Sequence, residues 1–172
     1  MIESLHMNLA PIPPHIFIDN NTAWQKCLQK LQREPILAID LESNSMYVYQ
    51  EQICLIQIST PDTDYIIDPL KGIDLSGLGK LIEDPAVQKI FHAAEYDMIL
   101  MKQGHGWNMQ NLFDTMWAAR ILGYDKVGLA NMLDELFDVK LDKRFQRADW
   151  GKRPLSDEQL AYAQRDTHYL FR

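Results

Sequence analysis

Cysteine is nearly absent. Cys27 and Cys54 are the only two in 172 residues, and neither sits in a Cys-x-x-Cys or Cys/His cluster, which argues against both a disulfide framework and a structural zinc site. Both lie in apolar patterns and are expected to be buried, reduced thiols, which points to a cytoplasmic location. No apolar run approaches the roughly 20 residues of a membrane-spanning helix, and Met1 to Pro14 lacks the basic start and apolar core of a secretory leader; no membrane association is expected. Basic residues are in the minority, 17 Lys and Arg against 24 Asp and Glu for a net charge of -7, which argues against a general nucleic-acid coating protein. Internal repeats and low-complexity tracts are missing too. What remains is one domain, long enough to bury roughly two thirds of its unfolded surface without a staple.

Met1 to Pro14, carrying Pro11, Pro13 and Pro14, reads as an extended lead-in. His15-Ile16-Phe17-Ile18 forms a candidate edge strand, and Asn21 or Thr22 is placed to cap a helix whose Trp24, Cys27, Leu28 and Leu31 repeat at helical spacing. Pro35 ends that helix. Three strands with short links follow, over residues 35–42, 52–58 and 65–68, which predicts an antiparallel meander. The pattern then alternates: a helix from Leu75 to Glu83, a strand from Val87 to His92, a helix from Glu95 to Gln103 ended by Gly104, and a strand from Asn111 to Phe113. Asp114 caps a further helix closed by Gly123. Leu129, Met132, Leu133 and Leu136 make another helical stripe, and Ser156 with Gln159 forms a capping box for the last helix. The expected fold is α/β, a mixed five-stranded sheet of meander then parallel strands, flanked by helices. No C-terminal cap follows Tyr169-Leu170-Phe171-Arg172, so the last helix, and a further domain with it, is expected to continue past this point.

Chemistry concentrates at a few carboxylates. In Leu37-Ala38-Ile39-Asp40-Leu41-Glu42 the alternation of a strand puts Leu37, Ile39 and Leu41 on one face and Asp40 and Glu42 on the other. Paired like charges on an apolar strand are costly unless a cation or proton neutralises them. Either the pair holds a metal or it marks where the strand meets solvent. Asp97, in Phe91-His92-Ala93-Ala94-Glu95-Tyr96-Asp97, follows a strand into the first turn of a helix. If that strand runs parallel beside the first, Asp97 emerges at the same sheet edge; otherwise it simply favours the positive helix terminus. Tyr162 and Asp166 are four apart and share a face of the last helix, with Tyr169 continuing the stripe.

Taken together these segments resemble a known family. Asp40-Leu41-Glu42, the His92-to-Asp97 stretch and Tyr162-x-x-x-Asp166 look like the three motifs of the DEDD superfamily of 3′-5′ exonucleases, in its tyrosine-bearing, ribonuclease D-like subclass. The likeness extends through Ile53-Cys54-Leu55-Ile56-Gln57-Ile58, Leu112-Phe113-Asp114-Thr115 and Asp149-Trp150-Gly151-Lys152-Arg153-Pro154-Leu155-Ser156. The resemblance implies an RNase H-like fold and exonuclease activity that releases nucleoside 5′-monophosphates with two divalent metal ions, Mg2+ or Mn2+. It further implies that Asp40 bridges both ions, that Glu42 and Asp166 complete the water-activating site, that Asp97 holds the other ion, and that Tyr162 orients the attacking water. The expected partner is single-stranded nucleic acid, RNA ahead of DNA. Werner-type exonuclease domains, which degrade DNA, share the pattern, and a non-catalytic RNA-binding scaffold is the alternative outside the enzyme class.

The charge distribution suits a nucleic-acid substrate. Residues 140–153 carry Lys140, Lys143, Arg144, Arg147, Lys152 and Arg153 against Asp142 and Asp149, a local +4 beside -11 for the rest of the chain. Such a segment can track a phosphate backbone, which makes Lys143, Arg144, Arg147, Lys152 and Arg153 candidate substrate contacts. His92 joins them by its nearness to the Asp97 motif. Trp150 is expected to be anchored in the core, and Asp114 to cap its helix instead of binding metal.

Overall fold

The computed structural model describes residues 11–172, so most of the expected lead-in over residues 1–14 lies outside the described residues. The chain runs β1 (Ile16–Ile18), α1 (Asn21–Leu31), β2 (Ile36–Ser43), β3 (Ile53–Ser59), β4 (Asp64–Ile67), a 3-10 turn, α2 (Ser76–Glu83), β5 (Gln88–Phe91), α3 (Glu95–His105), β6 (Leu112–Asp114), α4 (Thr115–Ile121), α5 (Leu129–Phe137) and α6 (Asp157–His168). Among the described residues the sheet has six strands, ordered β1-β4-β3-β2-β5-β6, and not the expected five. The difference is the edge segment Ile16–Ile18, which pairs in parallel with β4. The centre is the predicted meander: β2 and β4 both run antiparallel to β3, while β5 lies parallel to β2 and β6 parallel to β5.

Alternation along β2 decides what each sheet face carries. Leu37, Ile39 and Leu41 are buried with Ile56 and Ile58 of β3 in the larger core, beneath Trp24, Cys27, Leu28 and Leu31 of α1, Leu78, Leu81 and Ile82 of α2, and Leu100 and Met101 of α3. The opposite face holds a smaller core of Cys54, Leu55, Ile66, Trp150 and Ala163, against which Phe145, Leu155, Leu160 and Tyr162 pack. Both cysteines are free, buried thiols. Lys89 on β5 is fully buried, and its ammonium donates to the carbonyls of Leu81 at 3.3 Å, Asp84 at 2.7 Å and Val87 at 2.6 Å. It thereby satisfies backbone acceptors around the end of α2, where helix carbonyls lack partners of their own.

Two helix ends differ from expectation for local reasons. The cap of α1 is Asn20, whose side chain accepts from the Ala23 amide at 2.9 Å; Asn21 is instead drawn to Gly72 and Asp74. Helix α3 continues through Gly104 to His105, and Gly106 ends it at φ 75° with its amide donating to the Lys102 carbonyl. A left-handed end favours glycine, whereas Gly104 sits in ordinary helix.

Candidate active site

Asp40 and Glu42 leave β2 on the face covered by α6, and Asp166 approaches them from that helix. One ligand oxygen from each of the three lies within 4.8 Å of the others, all half-buried. Asp97 comes from the first turn of α3, is 7 % exposed, and lies close enough to Asp40 for the two charges to repel. Tyr162 shares the cavity with Asp40, Glu42 and Asp166, a space of about 360 Å³ that Lys143, Gln146 and His92 also line. A larger groove, about 1150 Å³ between the β2–β3 connection, α2 and α3, holds none of these carboxylates.

A buried polar network places α6. Asp64 of β4 accepts from Gln164 Nε2 at 2.6 Å and from Ser59 Oγ at 2.6 Å, and its Oδ2 lies 2.8 Å from His168 Nδ1. Ser59 has given its proton to Asp64, so at 2.7 Å it accepts one from Thr167. Burial alone would raise the Asp64 carboxyl, but the hydrogen bonds from His168, Ser59 and Gln164 outweigh it and hold it below its ordinary value. Three α6 side chains are thus tied to the β3–β4 hairpin. Tyr162 and Asp166, on another face of the same helix, are left pointing into the cavity. Tyr169 leaves that stripe: it sits in a closing 3-10 turn with its ring 4.9 Å from that of His168.

The turn from β5 into α3 places Asp97. Ala93 takes φ 64°, a left-handed conformation unusual for a residue with a Cβ. The Asp114 carboxylate holds it there, accepting from the amides of Ala93 at 3.1 Å and Ala94 at 2.8 Å while also capping α4 through Met116 at 2.8 Å. The cap was legible in the sequence and the second set of bonds was not.

Electrostatics at the site is that of anions forced together. Burial, then the Asp166 charge, holds Asp40 well above the usual carboxylate range. Glu42 is raised by burial and then by Asp40, Asp166 and Asp97. Burial and the charge of Asp40 push Asp97 up to about 8, and burial brings Asp166 to about 7. Without a cation the group retains protons near neutrality. An all-oxygen donor set of this kind suits a hard divalent cation, with no sulfur or imidazole to favour a softer one. The Tyr162 phenol is raised by burial and the nearby carboxylates, so it stays protonated and keeps an O–H to donate toward an oxygen. Its ring is held between Phe145, 6.0 Å away, and Trp150, 6.1 Å away. Trp150 is buried.

The basic segment divides. Lys143 lines the cavity, Arg144 pairs with Asp142, Arg147 is exposed, and Lys152 lies 3.6 Å from Asp149 with its side chain in solvent. Arg153 is a different case and corrects the expectation of a substrate contact. Its Nε and Nη2 both bond the fully buried Asp68 at 2.7 Å, and the guanidinium also donates to the carbonyls of Trp150, Lys152 and Cys54. No donor is left over for a ligand. His92 packs near the cavity with Nδ1 2.9 Å from Thr115 Oγ1, whose proton goes to the Phe91 carbonyl, and burial holds the imidazole below its ordinary value. Met116, Leu129 and Leu141 form an apolar wall that the sequence did not single out. Leu129 belongs by spacing to a helical stripe, and only the placement of α5 turns it toward the cavity.

Residues 15–172 match the family model described as 3′-5′ exonuclease. The chain is 37 % identical over 163 residues to ribonuclease D of Gluconacetobacter diazotrophicus, covering 94 % of this chain and 42 % of that protein. Among solved structures, the catalytic core of RRP6 from Trypanosoma brucei aligns with TM-score 0.86 and 37 % identity over 91 % of this chain and 44 % of that one. Escherichia coli RNase D, an exoribonuclease involved in structured RNA processing, aligns with TM-score 0.85 and 33 % identity over 92 % and 43 %. The chain spans less than half the length of each of these proteins. A match over nearly its whole described length, on a fold that brings Asp40, Glu42 and Asp166 into one cavity, shows that this chain belongs to the 3′-5′ exonuclease family.

Proposed function

We propose that this chain is a metal-dependent 3′-5′ exoribonuclease domain acting in the cytoplasm on single-stranded RNA ends, RNA ahead of DNA, and releasing nucleoside 5′-monophosphates. The observation that carries the reading is the convergence of Asp40, Glu42 and Asp166, from a strand and a distant helix, to within 4.8 Å of one another, beside Asp97 and a protonated Tyr162. Asp40 would be shared by two cations, with Glu42 and Asp166 completing one position and Asp97 the other. Two divalent ions, Mg2+ or Mn2+, when bound there, activate water and stabilise charge on the attacking and leaving oxygens. The chain supplies the rest. Tyr162 donates a hydrogen bond that orients the attacking water, and its fixed ring keeps that donor in place. Met116, Leu129 and Leu141 exclude water and offer a face to the terminal nucleotide, while Lys143, with Arg144, Arg147 and Lys152 further out, draws in the phosphate backbone. The relatives' names support RNA, and two buried free thiols support a reducing compartment.

The test is digestion of matched RNA and DNA oligonucleotides labelled at either end, with Mg2+, Mn2+ or EDTA. Mononucleotide release from the 3′ end of RNA, lost in EDTA and in Asp40→Asn, is expected. Cleavage that survives Asp40→Asn would reject the assigned site, and preference for DNA would reject the ribonuclease reading.

A further inference from the structure

Gln57 is a buried side chain without a partner. It is fully inaccessible, and neither Oε1 nor Nε2 of its carboxamide has a hydrogen-bond partner among the described residues. Several other buried polar groups nearby are satisfied, Asp68 by Arg153, Asn44 by the Gln52 amide, and Ser59, Asp64, Gln164 and Thr167 by one another, while Trp150 Nε1 and His92 Nε2 each leave one donor or acceptor unmatched and Gln57 leaves a whole carboxamide. Burying an amide unpaired opposes folding, and a leucine of similar volume would avoid that loss.

Its address offers the carboxamide a partner. On β3, Ile56 and Ile58 face the larger core, whereas Leu55 belongs to the smaller one and Ser59 bonds Thr167 of α6. Alternation therefore puts Gln57 on the α6 face, between Leu55 and Ser59. Across the sheet its direct neighbours are Asp40 on β2 and Ile66 on β4. Directly opposed residues have Cβ atoms about 4.5–5.5 Å apart, within reach of a glutamine carboxamide. Among the described residues no side chain donates to Asp40, whose hydrogen bonding is limited to the Leu41 backbone amide, so an amide donor without an acceptor stands beside a carboxylate with acceptor capacity to spare.

We infer that Gln57 is a positioning residue for the metal site: with cations held by Asp40, its Nε2 would donate to spare acceptor capacity on the Asp40 carboxylate and fix the orientation of that side chain. The inference rests on the proposed two-cation reading. A carboxylate ligand has an oxygen or lone pair to spare, and groups that orient ligands from behind set metal affinity even though they never touch the ion. The carboxamide would then be retained against stability because it preorganises Asp40.

This makes an unusual combined prediction. Gln57→Leu and the unbranched Gln57→Met should melt in EDTA at or above the parent temperature, since they remove an unpaired buried amide. Both should bind Mn2+, followed by calorimetry without substrate, about 10- to 100-fold more weakly, and the rise in melting temperature on adding Mn2+ should shrink accordingly. A folded variant with Mn2+ affinity within about twofold of the parent would overturn the assignment, as would a loss of melting temperature in both variants, which would make the carboxamide structural. If the parent itself binds no Mn2+, the metal reading falls first; if the parent binds and the variants bind equally, only the role of Gln57 falls.

Discussion

Asp114 Oδ2 accepts a hydrogen bond from the backbone amide of Ala94 at 2.8 Å, tying the turn that delivers Asp97 to the end of the neighbouring strand. One carboxylate both caps α4 and holds Ala93 at φ 64° through its amide. Replacing Asp114 with Ala should therefore cost about 1–3 kcal/mol in chemical denaturation. It should also lower kcat, although Asp114 is assigned no contact with substrate, because the approach of Asp97 to Asp40 would loosen. Asn, which keeps one acceptor, should retain part of both. Full activity in a destabilised Asp114→Ala would separate the turn from the chemistry.

Arg153 and Lys143 belong to one basic segment but should behave oppositely. Arg153→Ala strands the fully buried Asp68 carboxylate, so a loss of about 3–5 kcal/mol is expected, and Lys should rescue poorly because it lacks the two-pronged geometry. Lys143→Ala should leave the urea midpoint unchanged and raise KM in a salt-dependent way. Equal stability effects from the two would contradict this division.

Tyr162→Phe keeps the ring between Phe145 and Trp150 and removes only the phenolic donor. Stability should change little. A drop in kcat of about 10²-fold with KM nearly constant is expected, the cost of misplacing one reactant. Because burial and nearby carboxylates keep the phenol protonated, no limb of the pH–rate profile should be assignable to its ionisation, and a basic limb that vanishes in the Phe variant would refute the donor role.

The raised carboxyls give stability a pH signature. In the metal-free fold Asp97 stays protonated up to about 8 and Asp166 to about 7, whereas in the unfolded chain carboxyls ionise near about 4. The folded state therefore holds more protons, and this contribution is complete below about pH 4 and lost as pH rises through about 7 to 8. In EDTA the melting temperature should fall across that window. With millimolar Mg2+ the fall should be offset, so the gap between the two curves should widen with pH. A gap independent of pH would count against these carboxyls as the ligands.

The sequence by itself determined the elements and the candidate residues. Period-two alternation in β2 separates Leu37, Ile39 and Leu41 from Asp40 and Glu42, and helical spacing puts Tyr162 and Asp166 on one face, because these are local consequences of backbone geometry. The caps at Asp114 and Ser156 are equally local. Tertiary structure decided what side chains meet across distance. Arg153 looks in sequence like one more cation of a basic loop, and only the fold shows Asp68 waiting, 85 positions earlier. Lys89 carries no distinguishing local signal, and only the fold shows its ammonium bonding the carbonyls around the end of α2. Gln57 reads as one polar residue in an apolar strand until the register sets it beside Asp40. Burial and pairing are properties of the packed chain; alternation and capping are written in a few neighbouring residues.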